Sequence, residues 1–557
     1  MAIRAVTLCG VHDLEIVIAS LLVSVAVLNA VASRLQVPYP IVLVLGGLLL
    51  GFVPGMPDIE LEPDLVLLVF LPPLLFVAAY RSDVRALRYQ ARALALTSIG
   101  LVLVTIGAVA VAGHEVMGLE WPIAFALGAI VSPTDPVAAT AIMQRLGAPR
   151  RIVTAVEGES LVNDTAALIG YRVAVAVALG EGFSMLDASL EFLLAACGGV
   201  ALGLAVGWVF NQIRLRLEDS ASVITLSLAT GYAAFLPAEE LHLSGVLAAV
   251  SAGLYLGWHA PRIVQPTTRL QATAVWDTLI FLFNATLFVL IGLQLPMVAD
   301  GLAGEAVTEA IGWGVVVTLT VIGCRFAWLF TTPYLIRALD RRPSQRERRV
   351  GARYRVVMAW SGLRGAVSMA TALALPLETD AGQALPGRDA VIFVTFVLVL
   401  ITLVGQGLTL PALMRRLQIE SDGEAAEAEE VQARLLVAKA ALHELDAVAP
   451  EDWADEDTIE QVRASYMLRK HQLAARAGRI RDDGWEDRSR ARVQVLRRLH
   501  EAERRALLDV YGAGDIAAEV MRRIEHDLDI EDEHLEGKAR ASHPVGPPSA
   551  GAQAPAG

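Results

Sequence analysis

The stretch AFALGAIVSPTDPVAATAIM, residues 124–143, reads as a membrane span that cannot be one continuous helix. Its single charge is Asp135, set between two prolines. Pro133 and Pro136 each lack an amide hydrogen and clash with the turn before them, so a helix must break there. Unwound backbone at bilayer depth is tolerated only where it is buried in protein or lines a wet cavity. The break therefore puts freed carbonyl oxygens next to a carboxylate inside a membrane. Oxygen ligands of that kind suit a dehydrated hard cation. A proline kink capped by an aspartate would explain the prolines equally well, so the surrounding sequence has to decide.

The next apolar stretch carries EGESLVND (157–164). Helical spacing puts Ser160 and Asp164 on one face at i, i+4, and Glu159 with Asn163 on the neighbouring one. A charged side chain at bilayer depth costs at least about 2.5–3.5 kcal/mol on insertion scales, so each demands a reason. Asp135, Glu159, Asp164 and Arg364 are the principal cases, and Glu157, Arg172, Asp277 and Arg325 are secondary ones. Three acids within 30 residues on adjacent spans argue for a site rather than for isolated ion pairs. Arg364 lies in WSGLRGAVS (360–368) between Gly362 and Gly365, a second place where a helix is weak. It is the cation expected to compensate these acids. Arg172 reads as a snorkelling or structurally paired arginine, Asp277 as a boundary residue, and Arg325 as the partner of an acid or the lining of a pathway.

Apolar runs long enough to cross a bilayer recur from Leu14 to Met414, where about 20 helical residues at 1.5 Å each are needed. The chain is 55% hydrophobic with a mean hydropathy of +0.52. Thirteen candidate spans emerge: 14–34, 38–56, 64–80, 94–113, 121–143, 152–179, 188–211, 220–237, 242–258, 274–295, 309–334, 356–376 and 389–414. Loops after odd-numbered spans hold twenty arginines, from Arg34 to the run between Arg337 and Arg355, whereas loops after even-numbered spans hold only Arg388. Positive charge favours the cytoplasmic side, which places the N-terminus outside and the C-terminal tail in the cytoplasm. The start of the chain reads as a retained first helix rather than a cleaved signal. The fifth and twelfth spans, both interrupted, lie seven apart and so run in opposite directions. Interrupted spans in corresponding positions of two inverted halves mark the binding site of secondary transporters.

Three regions follow: a membrane domain over 1–416, an acidic helical tail over 417–540, and a disordered end, 541–557, rich in Pro, Ala, Gly and Ser. From Leu417 onward there are 30 acids against 19 basic residues, so most of the net charge of −13 belongs to the tail. That acidity describes a solvated appendage with helical stretches near 431–448, 456–480, 488–510 and 517–528, and it points to no nucleic acid. Cys9, Cys197 and Cys324 are too scattered for a disulfide framework or a metal site. Asn163 and Asn284 open formal glycosylation sequons but sit inside spans, and no histidine is placed as an evident pH sensor. With no Walker-type loop, an ATP-driven pump is disfavoured. No enzyme activity and no cofactor is expected.

FLPPLLFVAAYRSD (70–83), the TDP stretch, EGESLVND, FLFNATLFVLIGLQL (281–295) and WSGLRGAVS together resemble the monovalent cation:proton antiporters of the bacterial NhaP and animal sodium/proton exchanger type. The resemblance covers about residues 14–416, and ERRALLDVYGAGDIAAEVMRRIEHDLDIEDE (503–533) is similar to the cytoplasmic extension of the bacterial branch. It implies an all-α polytopic fold of about thirteen transmembrane helices in two inverted repeats, with crossed discontinuous helices and a homodimer. By the same resemblance, Asp164 binds either sodium or a proton. Asp135, Ser160 and the Thr134 carbonyl complete the ion's shell, Asn163 orients the site, and Glu159 pairs with Arg364. The Asn163-Asp164 pair matches the electroneutral, one-for-one branch. Lithium and potassium remain open as cargo beside sodium. A membrane-tethered signalling protein that no longer transports is the alternative from another class, and the intact acid cluster argues against it.

Overall fold

In a bilayer the backbone must satisfy its own hydrogen bonds, which leaves an isolated apolar run the helix as its structure. The computed structural model follows that rule. It describes residues 11–53, 66–180, 185–300, 307–339, 351–379, 383–419, 423–451, 453–477, 485–513 and, with gaps at 522 and 526, 520–532. The chain divides into two compact units, Met1–Glu420 and Ser421–Gly557. Among the described residues, helix dominates both, and the only β pairing is one isolated antiparallel bridge between Glu378 and Ala384.

Among the described residues of the first unit, eight helices are long and apolar enough to cross a membrane: Leu96–Met117, Trp121–Arg145, Arg150–Leu179, Phe192–Arg214, Ser220–Glu240, Pro266–Ala299, Val307–Tyr334 and Arg388–Arg416. Three shorter apolar helices, Ala19–Leu35, Tyr39–Gly51 and Leu68–Arg81, match the first three candidate spans. The ninth is the helix Gly245–Ile263, and the twelfth is split into Ala352–Trp360 and Ala366–Leu373. One feature departs from expectation. The arginine-bearing connection after the third span, read as a loop, is the amphipathic helix Val84–Ala95. Of the loop arginines, those between 340 and 350 lie outside the described residues.

Burial locates the core. Trp121–Val131 is buried from Ile123 to Val131 except at Phe125, and packs between Leu101–Met117 and Arg150–Leu179. Arg388–Leu400 is similarly enclosed, against Val307–Leu339 and Ala366–Leu373. The interrupted fifth span, and Ala366–Leu373 of the interrupted twelfth with all but Val367 buried, are thus enclosed by other helices, where irregular backbone is shielded from lipid. The second unit contains the helices Gly423–Val448, Glu456–Arg476 and Trp485–Gly512. The first two pack through Leu435, Ala438, Leu473 and Ala474. The terminal stretch 541–557, expected to be disordered, lies outside the described residues.

Candidate ion-binding site

The fifth span stops being helical at Ser132 and resumes at Pro136, as the prolines require. Asp135 is the N-cap of the second half, Pro136–Arg145: its Oδ1 accepts from the Val137 amide at 2.9 Å, with proline in the first helical position. The capping role and the site role thus coexist in one carboxylate. The twelfth span opens over Ser361–Gly365. The two breaks touch, since the Asp135 amide donates to the Leu363 carbonyl at 2.8 Å. Gly365 makes that approach possible, because a Cβ there would lie 1.8 Å from Asp135 Oδ2.

Arg364 holds the crossing together, though not through Glu159. Its Nε donates to the Val131 carbonyl at 3.0 Å, its Nη2 to Ser132 at 3.4 Å, and its Nη1 to Gly362. Its own amide donates to Thr402 Oγ1 at 3.2 Å. These carbonyls lie at the interrupted C-terminal ends of both first half-helices, where orphan acceptors and the negative end of the dipole favour a cation.

The expected Glu159–Arg364 pair is therefore corrected. Glu159 is held by Arg325, whose Nη2 meets Oε2 at 3.1 Å while Nη1 meets Oε1. Both residues are 2% exposed. Arg325 Nε also donates to the Met358 carbonyl at 3.1 Å. The reason is local: Arg325 lies in mid-helix, where the surrounding carbonyls are taken by backbone amides, so its two Nη groups meet a carboxylate and its Nε a carbonyl of another helix. Arg364, at a break, has carbonyls at hand.

On the cavity side of the same helix, Ser160 Oγ donates to the Thr134 carbonyl at 3.0 Å and Asn163 Nδ2 to Thr134 Oγ1 at 2.8 Å. Thr134, Ser160 and Asn163 thus form one bonded group across two spans. A carbonyl oxygen has a second lone pair, so Thr134 keeps acceptor capacity. Asp164 is 6% exposed, and its carboxylate receives no hydrogen bond or ion pair from any described residue. It lines a cavity of about 600 Å³ together with Asp135, Thr134 and Ser160. That cavity runs past Tyr39 and Asn284 to Glu157, Gln144 and Arg81 at one face of the unit.

Of the secondary candidates, Arg172 and Asp277 are paired away from Glu159 and Asp164. Arg172 pairs with Glu239, and Asp277 with Arg81 at 2.5 Å, both partly exposed. Glu157 accepts from Gln144 Nε2 at 3.5 Å where the cavity opens. Two supporting residues escaped the sequence reading. Thr402 meets the Arg364 amide, and Ser98 donates to the Glu159 carbonyl at 2.9 Å. A lone hydroxyl residue in an apolar helix gives little signal, because such hydroxyls usually bond back to their own helix, as Thr402 also does to Leu398.

Comparison with known proteins identifies the family and the fold. The chain is 36% identical over 528 residues to an uncharacterized Na(+)/H(+) exchanger of Mycobacterium tuberculosis, covering 93% of this chain and 96% of the relative. It is 32% identical to the Na(+)/H(+) antiporter ApNhaP of Aphanothece halophytica, over 78% of this chain and 80% of that one. The solved sodium proton antiporter MjNhaP1 of Methanocaldococcus jannaschii shares the fold, with a TM-score of 0.58 at 19% identity, over 73% of this chain and all of the other. The family described as "Sodium/hydrogen exchanger, transmembrane" matches residues 18–416, and the chain, a multi-pass membrane protein, belongs to that family.

Proposed function

We propose that this protein is a secondary antiporter exchanging sodium for protons at Asp164. One observation carries the reading: a buried carboxylate with no partner among the described residues, facing a cavity beside a second carboxylate, a hydroxyl and freed backbone carbonyls. A bare carboxylate is expensive to bury, so Asp164 needs a proton or a cation. The two compete for the same oxygens, and either one neutralises the site. Alternating access then requires only that the empty, charged site crosses poorly.

In this reading Asp135 Oδ2, Ser160 and the Thr134 carbonyl complete the sodium shell, and Asn163 fixes Thr134. Glu159, locked to Arg325, and Arg364, locked to the half-helix ends, form the scaffold. The neutral Asn163 beside Asp164 supports one-for-one, electroneutral exchange, with no resident cofactor. The arginine asymmetry of the loops supports an outside N-terminus and a cytoplasmic tail in the cell membrane. It also supports a cytoplasmic position for the open end of the cavity, at Arg81 and Gln144. The family resemblance supports a homodimer and a role in sodium and pH homeostasis.

The test is pH dequenching in everted vesicles with sodium, lithium and potassium titrated separately. Sodium should dissipate the gradient at the lowest concentration, and Asp164→Asn should remove the response to every cation. Full exchange by Asp164→Asn overturns the assignment, while a response confined to potassium would change the cargo and leave the carboxylate's role in place.

A further inference from the structure

The amphipathic helix Val84–Ala95 has no part in the mechanism above, yet it is built on the ion helix. Leu87 and Leu94, on one face, seat against Gly158: a Cβ there would meet Leu87 at 2.6 Å and Leu94 at 3.1 Å. Gly158 lies between Glu157 and Glu159, six residues before Asp164. On the opposite face, Arg85, Arg88 and Arg92 recur at spacings of three and four, and all three are exposed. The helix joins the end of one apolar helix, at Arg81, to the start of another, at Leu96, so it lies at the level of the membrane surface. Arg85 is held over the ring of Trp258, 5.7 Å from its centroid.

Beside this helix is a cavity of about 810 Å³ lined by Arg85, Tyr89, Arg150, Arg151 and Glu157. The same cavity holds two acids, Asp83 and Glu157. Asp83 Oδ1 caps the amphipathic helix, accepting from the Arg85 and Ala86 amides at 2.8 and 3.2 Å, and Glu157 accepts from Gln144. Arg150 and Arg151 open a 30-residue helix with no acid in its first turn and no capping side chain, where the dipole repels cations. Gln144 and Glu157 line both this cavity and the cavity of Asp164. A cation on its way to Asp164 thus passes a mouth crowded with arginine.

We propose that the arginine-lined cavity binds the headgroup of an anionic phospholipid, and that the bound headgroup neutralises the field that otherwise repels cations from the path to Asp164. Position and charge both select a lipid. The surface is basic, amphipathic and at bilayer level, and exposed arginines next to an anionic leaflet contribute favourably one by one. The second half of the proposal rests on the antiporter reading, whereas lipid binding does not.

The test uses the purified full-length protein in mixed micelles of phosphatidylcholine and phosphatidylglycerol, counting phosphatidylglycerol retained per chain after washing. Retention should weaken by about fivefold for each arginine removed in R85Q/R88Q/R92Q, and likewise in R150Q/R151Q. R415Q/R416Q, at another basic helix end, should bind as the parent does. Equal retention by the first two variants overturns the site, and displacement by excess inorganic phosphate assigns it to a free anion and overturns the lipid. In proteoliposomes, phosphatidylglycerol should lower the KM for sodium of the parent, while R85Q/R88Q/R92Q should show the low KM in either lipid. A parent indifferent to lipid, or a variant still dependent on it, overturns the neutralisation. Loss of all exchange with retention intact would count against the antiporter reading and leave the lipid site standing.

Discussion

Glu159 and Asp164 lie five residues apart on one helix, both are carboxylates, and both are buried, yet their surroundings are opposite. Glu159 gives both oxygens to the Arg325 fork, which compensates its charge. Asp164 receives nothing from any described residue and faces a cavity. A paired buried charge stabilises a fold only while its partner stays. An unpaired one must take a partner from solution, and that is what a transport site needs. The same contrast separates the two buried arginines, Arg325 bound to an acid and Arg364 to carbonyls of broken helices.

Removing Arg325 should sharpen the contrast most. Arg325→Met leaves Glu159 uncompensated and should cost about 3–5 kcal/mol, read as loss of monodisperse protein and a lowered melting temperature. The double variant Glu159→Leu with Arg325→Met should recover most of that stability, and a single variant as stable as the parent would place the partner of Glu159 elsewhere. Arg364→Ala should also weaken folding, now because the Val131, Ser132 and Gly362 carbonyls lose their donor. On the transport side, Gly365→Ala should abolish exchange in folded protein by driving a methyl into Asp135, and parent-like exchange would deny the contact between the breaks. Ser160→Ala, which deletes one hydroxyl from the Thr134 group, should weaken apparent sodium affinity roughly tenfold, the worth of about one hydrogen bond. An unchanged affinity would remove Ser160 from the shell.

The smallest effect is expected in the second unit, far from these carboxylates in kind. His500 Nδ1 meets Asp532 at 2.6 Å, and Arg504 meets Asp532 at 2.9 Å. His500 first and Arg504 second hold the Asp532 carboxyl below the usual carboxylate range. A depressed carboxylate stabilises above its unfolded pKa and loses that stabilisation as pH falls through its lower folded value. Protection of residues 527–532 from hydrogen exchange should therefore fall only in strong acid, and earlier in His500→Ala. Identical acid profiles would break the link.

Much of the fold could be read from the sequence, for reasons specific to a bilayer. Apolar length, prolines at 133 and 136 and one-sided arginines are local signals, and backbone satisfaction leaves them a single structural outcome. The residues that the fold gathers into the candidate site were legible too, because Asp135, Glu159 and Asp164 are costly wherever they sit. Which arginine meets which acid was not. Arg325 and Arg364 are both buried and lie 39 positions apart, and spacing does not say which faces Glu159. The distinction lay in whether the backbone around each arginine had free carbonyls, and Gly362 and Gly365 were the clue. The helix Val84–Ala95 was hidden for another reason: five of its neighbourhood's charges marked a loop, and only the 3.6-residue period of Leu87 and Leu94 against Arg85, Arg88 and Arg92 identifies it.

The most direct test of the contrast is proton release from purified full-length protein when sodium is added at a series of fixed pH values. The parent should release protons as sodium displaces them, Asp164→Asn should release none, and the doubly neutral Glu159→Gln with Arg325→Gln should still release them. Sodium-driven release from Asp164→Asn, or its loss from the folded double variant alone, would contradict the assignment of exchange to Asp164 and of structure to Glu159.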